Sequence, residues 1–104
     1  MKKKLWEIFV PTQTNDGIHL RTRFHKVWDN KVREITGGLT ICAPTKGHWV
    51  SQDGQVFSER MIPVRIFCTR EEIIQISDMT AVYYKQKAVM FYLVTEEVEI
   101  RNYE

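Results

Sequence analysis

The stretch Met61-Ile62-Pro63-Val64-Arg65-Ile66-Phe67-Cys68-Thr69-Arg70-Glu71-Glu72 decides the fold, because the chain changes period inside it. Up to Cys68 the residues alternate. Ile62, Val64, Ile66 and Cys68 fall on one side and Met61, Pro63, Arg65 and Phe67 on the other, which is the period of a strand. At Thr69 the alternation stops. Thr69 and Glu72 have the spacing of a capping box, in which the threonine hydroxyl accepts from the amide of residue 72 and the glutamate reaches back to the cap. Glu71 and Glu72 also suit the positive end of a helix. Pro63 has no N–H to donate to a ladder, so a bulge or a break in pairing is expected there.

On the N-terminal side this strand returns from a hairpin turn at Gln52-Asp53-Gly54-Gln55, where Asp-Gly supplies the positive φ of a tight turn. The outgoing arm covers residues 47–51, and Pro44 separates it from a strand over 39–43. Upstream, Phe24, Val27, Trp28, Lys31, Val32 and Ile35 form a stripe at helical spacing. Lys31 fits it through its aliphatic stem. The spacing predicts a helix over 22–36 with Gly37 as its C-cap. Residues 5–11 read as the first strand, with Trp6, Ile8 and Val10 on one face, Leu5, Glu7 and Phe9 on the other, and Pro11 as its end.

On the C-terminal side Ile73, Ile76, Ser77, Thr80, Ala81 and Tyr84 make the buried stripe of a second helix that ends near Lys85. Residues 87–95 form a strand that is apolar on both faces. Residues 98–102 read as a short final strand, polar on one side and therefore an edge.

The order is strand, helix, strand, strand, helix, strand. Right-handed crossovers put both helices on one face of an antiparallel sheet. The expected class is α+β, a ferredoxin-like βαββαβ sandwich with an extra short C-terminal strand and the strand order 4-1-3-2. At 104 residues the chain has room for one domain, taken as 1–104.

The net charge of +2 is too mild for nucleic acid, which asks for a basic stripe. RRM domains share this strand order, but their Lys/Arg-Gly-Phe-rich third strand is missing from residues 61–67. The apolar run after Lys2, Lys3 and Lys4 is interrupted by Glu7 and stopped by Pro11, too short for a secretory signal. No run approaches a membrane span. A cytoplasmic location follows, with Cys42 and Cys68 reduced and semi-buried.

With both helices on one face, the other sheet face is bare. Leu5, Phe9, Phe67, Met90 and Tyr92 make it mostly apolar, too large a patch to stay wet in a monomer. Homodimerisation through this face is expected, or a small-molecule ligand on it. Glu7 and Arg65 are its charged members. Two readings stand: a cross-strand ion pair, or the polar centre of a ligand pocket. Lys46-Gly47-His48-Trp49-Val50 adds a second cluster, in which His48 and Trp49 either line a pocket or Trp49 covers one end of the core. Glu59, on the return strand, is a further polar participant. The ligand-binding candidates are therefore Glu7, Arg65, His48, Trp49 and Glu59.

Other chemistries find no motif. No Cys-x-x-Cys or His-Glu-x-x-His occurs, so no metal is called. Gly37-Gly38 follows a helix, the wrong end for a phosphate. There is no nucleophile elbow, and nothing marks either thiol as activated. No cofactor and no catalytic residue is assigned.

Trp28, Gly38-Leu39-Thr40, Gly47-His48-Trp49, Asp53-Gly54, Glu59 and the segment Tyr83-Tyr84-Lys85-Gln86-Lys87-Ala88-Val89 follow one another as in a small bacterial family of uncharacterised α+β proteins, which the chain resembles over about residues 5–95. The resemblance implies the fold and no activity. The function is thus unknown at this level. A non-catalytic ligand- or partner-binding domain is the first reading, and a small enzyme of the dimeric α+β barrel kind, using the same face, is the alternative.

Overall fold

A computed structural model describes residues 2–103. Its elements are β1 (Lys4–Pro11), α1 (Thr22–Thr36), β2 (Thr40–Ile41), β3 (Thr45–Val50), β4 (Val56–Cys68), α2 (Arg70–Tyr83) and β5 (Phe91–Thr95). The sheet order is β2-β4-β1-β5, with β3 continuing the line of β2 along β4, and every pairing is antiparallel. This is the ferredoxin-like α+β arrangement expected from the element order, with β1 and β4 central.

Pro63 shapes the long edge of the sheet. Its carbonyl accepts from the amide of Cys42 at 2.9 Å. Backbone N and C=O of one strand residue point the same way, so the missing N–H of Pro63 faces this strand too. There the register slips. Ile41 pairs with Val64 and Thr45 with Met61, so residues 42–44 stand opposite residues 62 and 63 only. The break lies in the partner strand, and pairing of β4 with β1 runs unbroken through Phe9 and Pro63. It also reduces the expected strand over 39–43 to Thr40–Ile41.

The core sits between the sheet and the helices. β1 supplies Trp6, Ile8 and Val10, β4 supplies Val64, Ile66 and Cys68, and the helices add Trp28, Val32, Ile73 and Ile76. Each large aliphatic side chain among them contributes about 1.5–3 kcal/mol on burial. The indole of Trp6 donates to the carbonyl of Cys68 at 3.1 Å, and that of Trp28 donates to Thr80 Oγ1 at 2.9 Å. Burial pushes the Cys68 thiol up to about 12, with the nearby Glu72 charge adding to it. Both cysteines are free thiols, Cys68 buried and Cys42 half-buried.

α1 has the predicted bounds and ends on Gly37, whose φ of 91° is the left-handed value that glycine takes without a Cβ clash. Its buried stripe is narrower than expected. Val27 turns 56% exposed, one position around the helix from buried Trp28. α2 opens with the full capping box: Glu72 N donates to Thr69 Oγ1 at 3.2 Å and Thr69 N to Glu72 Oε1 at 2.9 Å.

Residues 98–102 form no strand. Thr95 and Glu97 instead close a local turn, with Glu97 N donating to Thr95 Oγ1 at 3.1 Å. Beyond it Glu99, Ile100 and Arg101 are all exposed, so this segment lies outside the sheet and packs on no strand. The outer edge of β5 is left open.

Candidate functional site on the open sheet face

The helices pack on the Trp6–Ile8–Val10 side of the sheet, and among the described residues no element covers the other side. Its centre is a row across three strands. Glu7 of β1 stands opposite Arg65 of β4 and opposite Tyr92 of β5. Arg65 Nε donates to Glu7 Oε1 at 2.9 Å, and the Tyr92 hydroxyl donates to Glu7 Oε2. Both carboxylate oxygens are thus engaged. That is what lets a glutamate sit at 5% exposure in mid-sheet, since a buried charge costs several kcal/mol unless it is paired and hydrogen-bonded.

The row is electrostatically asymmetric. The Arg65 side chain remains 46% exposed while Glu7 is buried. The hydrogen bond to Glu7, followed by its charge, holds the Arg65 guanidinium above the ordinary arginine value. Its own hydrogen bond to Glu7 Oε2, followed by burial, raises the Tyr92 hydroxyl above the usual tyrosine range. Both groups are therefore held in their protonated forms around one shared carboxyl group.

Around this centre the face is apolar. Leu5 lies opposite Phe67 and Phe9 opposite Pro63, and the rings of Phe9 and Tyr92 approach to 6.0 Å. Met90, next to Phe9, is 63% exposed. The face continues along the β3–β4 arm, where Trp49 stacks on Phe57 with ring centroids 4.5 Å apart. Gly47 leaves room there for the end of the Met61 side chain, whose Cε would lie 2.7 Å from a Cβ at this position.

The five predicted site residues divide. Glu7, Arg65, Glu59 and Trp49 share the open face by register, Glu59 opposite Gly47 and Trp49 opposite Phe57. Glu7 and Arg65 are in direct contact, whereas Glu59 and Trp49 lie out along the arm. His48 pairs with Ser58, one residue out of phase, and so belongs to the opposite side. Trp49 does not cover the end of the core, because the arm projects beyond the helices and leaves its indole 47% exposed. Tyr92 joins this row through its hydrogen bond to Glu7 and was not among the site residues selected from the sequence. Its place on the bare face was legible, but the β1–β5 register that sets it beside Glu7 was not.

A second polar cluster joins the helices. His25 Nδ1 and the Tyr84 hydroxyl share a hydrogen bond of 2.7 Å, and the Tyr83 hydroxyl donates to the carbonyl of Phe24 at 2.6 Å. Burial lowers the His25 pKa below its ordinary value, opposed by Asp29 and assisted by His19. Burial raises Tyr84, with Asp29 and Tyr83 adding to it. This cluster ties α1 to α2. Among the described residues, no group of three or more His, Cys, Asp or Glu side chains gathers to hold a metal ion. No helix is long and apolar enough to cross a membrane.

No family model and no curated protein matches the chain. Solved structures do. The divalent cation tolerance protein CutA1 of Thermus thermophilus superposes with a TM-score of 0.67 at 10% identity, covering 96% of this chain and 87% of the other. The periplasmic divalent cation tolerance protein CutA of Archaeoglobus fulgidus gives 0.69 at 10% identity, with 95% and 88% covered. A phage SAM lyase in complex with S-methyl-5'-thioadenosine gives 0.69 at 14% identity, with 90% and 81% covered. The neighbours are thus named proteins rather than an uncharacterised family. At these identities the likeness is one of architecture: the chain has the ferredoxin-like fold found in the CutA proteins.

Proposed function

We propose that this protein is a non-catalytic binding domain, spanning the whole chain, that works through its open sheet face and self-associates there. A homodimer is the smallest assembly that covers the face. The observation that carries the reading is the unburied surface itself. A folded monomer of this mass exposes roughly 6,100 Å² by size scaling, whereas this chain exposes 7739 Å². The excess exceeds the ~800 Å² per partner of a standard interface. The radius of gyration of 14.9 Å, against about 13 Å for a compact chain of this length, supports a projecting arm that a second copy would cover. Two free thiols fit a reducing, cytoplasmic setting.

The enzyme alternative is less well supported. Glu7 has both oxygens engaged, and His48 is on the far side of the sheet. The lyase among the structural neighbours lends its fold and not its chemistry. A divalent cation, the ligand class in the names of two neighbours, lacks a gathered donor set among the described residues.

Charge placed on the open face tests the reading. Met90→Glu should dissociate the assembly seen by native mass spectrometry, and Val82→Glu, at an 80% exposed site on α2, should not. Equal behaviour of the two variants contradicts it.

A further inference from the structure

At the end of the open face where β1 starts and β4 finishes, the α1–β2 connection rises over the sheet edge and leaves a cavity of about 270 Å³. Its polar side chains include Lys3, Thr40 and Arg65, and its apolar ones are Leu5, Leu39 and Phe67. Among the described residues no acidic side chain lines it. Two cations therefore meet in one small cavity, Arg65 paired through its Nε with Glu7 outside the lining and Lys3 unpaired among those residues. Arg65 spends its Nε on Glu7, and among the described residues neither of its Nη groups has an acceptor. The Lys3 ammonium is 5.9 Å from the centroid of the Phe67 ring and has no carboxylate partner among the described residues. Thr40 stands directly beside Arg65 in the β2–β4 register.

The carbonyls at the end of α1 are the unfavourable wall for an anion, and several are already occupied. Gly37 N donates to Arg33 O at 2.8 Å, and Thr36 Oγ1 makes bonds of 2.9 Å to the carbonyls of Val32 and Gly38. Gly38 carries a further observation. Its φ is not positive, and a Cβ there would meet nothing within 4 Å. A larger side chain at this rim position would therefore project into the open space of the cavity mouth.

We propose that this cavity binds a small organic anion, a carboxylate or phosphate monoester whose charge sits between Arg65 and Lys3 and whose apolar body lies against Phe67 and Leu39. The planar guanidinium offers its outer N–H groups to a two-oxygen acceptor, and the lysine adds a point charge. The inference rests on the open face being a binding surface and gives the chemistry of its ligand, which occupies the rim under the α1–β2 connection and leaves the Met90 and arm side of the face to the second copy.

Amide NMR titration of the full chain tests it, with phenyl phosphate and benzoate as anions and benzyl alcohol as the uncharged control. Both anions should shift the Gly37, Gly38 and Thr40 signals saturably, and benzyl alcohol should not. Lys3→Met, at an exposed site, should weaken phenyl phosphate about tenfold, the loss of one charge-assisted contact. Gly38→Val should abolish binding while leaving both cations in place. Absence of saturable shifts, equal response to benzyl alcohol, or unchanged affinity in both variants overturns the inference. Sedimentation of the same samples separates the two readings. A monomer that binds phenyl phosphate removes only the self-association, and an oligomer that ignores it removes only the anion site.

Discussion

Glu7 and Arg65 are directly opposed on adjacent strands and joined at 2.9 Å, yet one is buried and the other half exposed. The pair is therefore unequal in what each loss leaves behind. Arg65→Met strands a buried carboxylate with Tyr92 as its sole remaining partner. Glu7→Gln leaves a guanidinium that turns to water and an amide oxygen that Tyr92 can still meet. Urea denaturation should show a larger fall in midpoint for Arg65→Met than for Glu7→Gln, and the double variant Glu7→Leu/Arg65→Met should recover part of the loss. Equal losses for the two single variants would mean that the burial asymmetry is energetically silent.

Tyr92 reports on the same row at alkaline pH. Its folded-state pKa is raised, so the stability that its hydrogen bond contributes is present below the free-tyrosine value of about 10 and is lost as pH rises through the folded value. In an ultraviolet titration, Tyr83, Tyr84 and Tyr92 should all ionise above the free value. Glu7→Gln should bring one of the three down while leaving the other two in place.

His25 governs the acid side of the helix pair. A histidine with a lowered folded pKa binds fewer protons in the folded state than in the unfolded one. Stability is then greatest above about pH 6.5 and falls as pH drops through the folded value. The C2 proton of His25 should titrate below its ordinary midpoint by NMR. Wild-type protein should lose stability between neutral and mildly acid pH by a step that His25→Gln lacks. Asp29, raised by burial, acts in the opposite sense in a separate window that starts near the ordinary carboxylate value.

Thr69→Ala removes one half of the α2 capping box and leaves the Glu72 amide without its acceptor. The expected cost is about 1 kcal/mol, within a range of roughly 0.5–2. Chemical denaturation measures it, and an unchanged midpoint would show that water replaces the cap at no loss.

Much of this architecture was legible because its signals are local. The capping box at Thr69 and the cap at Gly37 depend on residues within a few positions of one another and form as read, and the hairpin turn keeps Gly54 at positive φ but closes one residue earlier, with Gly54 N donating to Ser51 O. Strand alternation also sorted Glu7 and Arg65 onto the bare face. What escaped depends on register between distant segments. The pairing of Tyr92 with Glu7 is set by a slip between Leu5 and Trp6, which no local pattern encodes. The helix lock of His25, Tyr84 and Trp28 with Thr80 arises from the crossing of two helices far apart in sequence. His48 lies on the unexpected side because strand phase does not carry through the slip at residues 42–44. The segment 98–102 alternates like a strand yet stays largely exposed and unpaired, so tertiary context overrides its pattern.

The β3–β4 arm gives a local test. Beyond Met61 its strands pair with each other and not with β1. Trp49→Ala removes the stack on Phe57, worth about 0.5–1.5 kcal/mol for an aromatic pair. Hydrogen exchange should quicken across β3 and the facing half of β4 and stay unchanged in β1. Uniform quickening would mean that the arm opens only with the whole protein.

A second copy of this chain over the open face would be visible in sedimentation velocity of the wild-type protein at micromolar concentration. The expected species is heavier than the 12.4 kDa chain and shifts to the monomer in Met90→Glu. A wild-type protein that sediments as a 12.4 kDa monomer throughout that range would contradict that assembly.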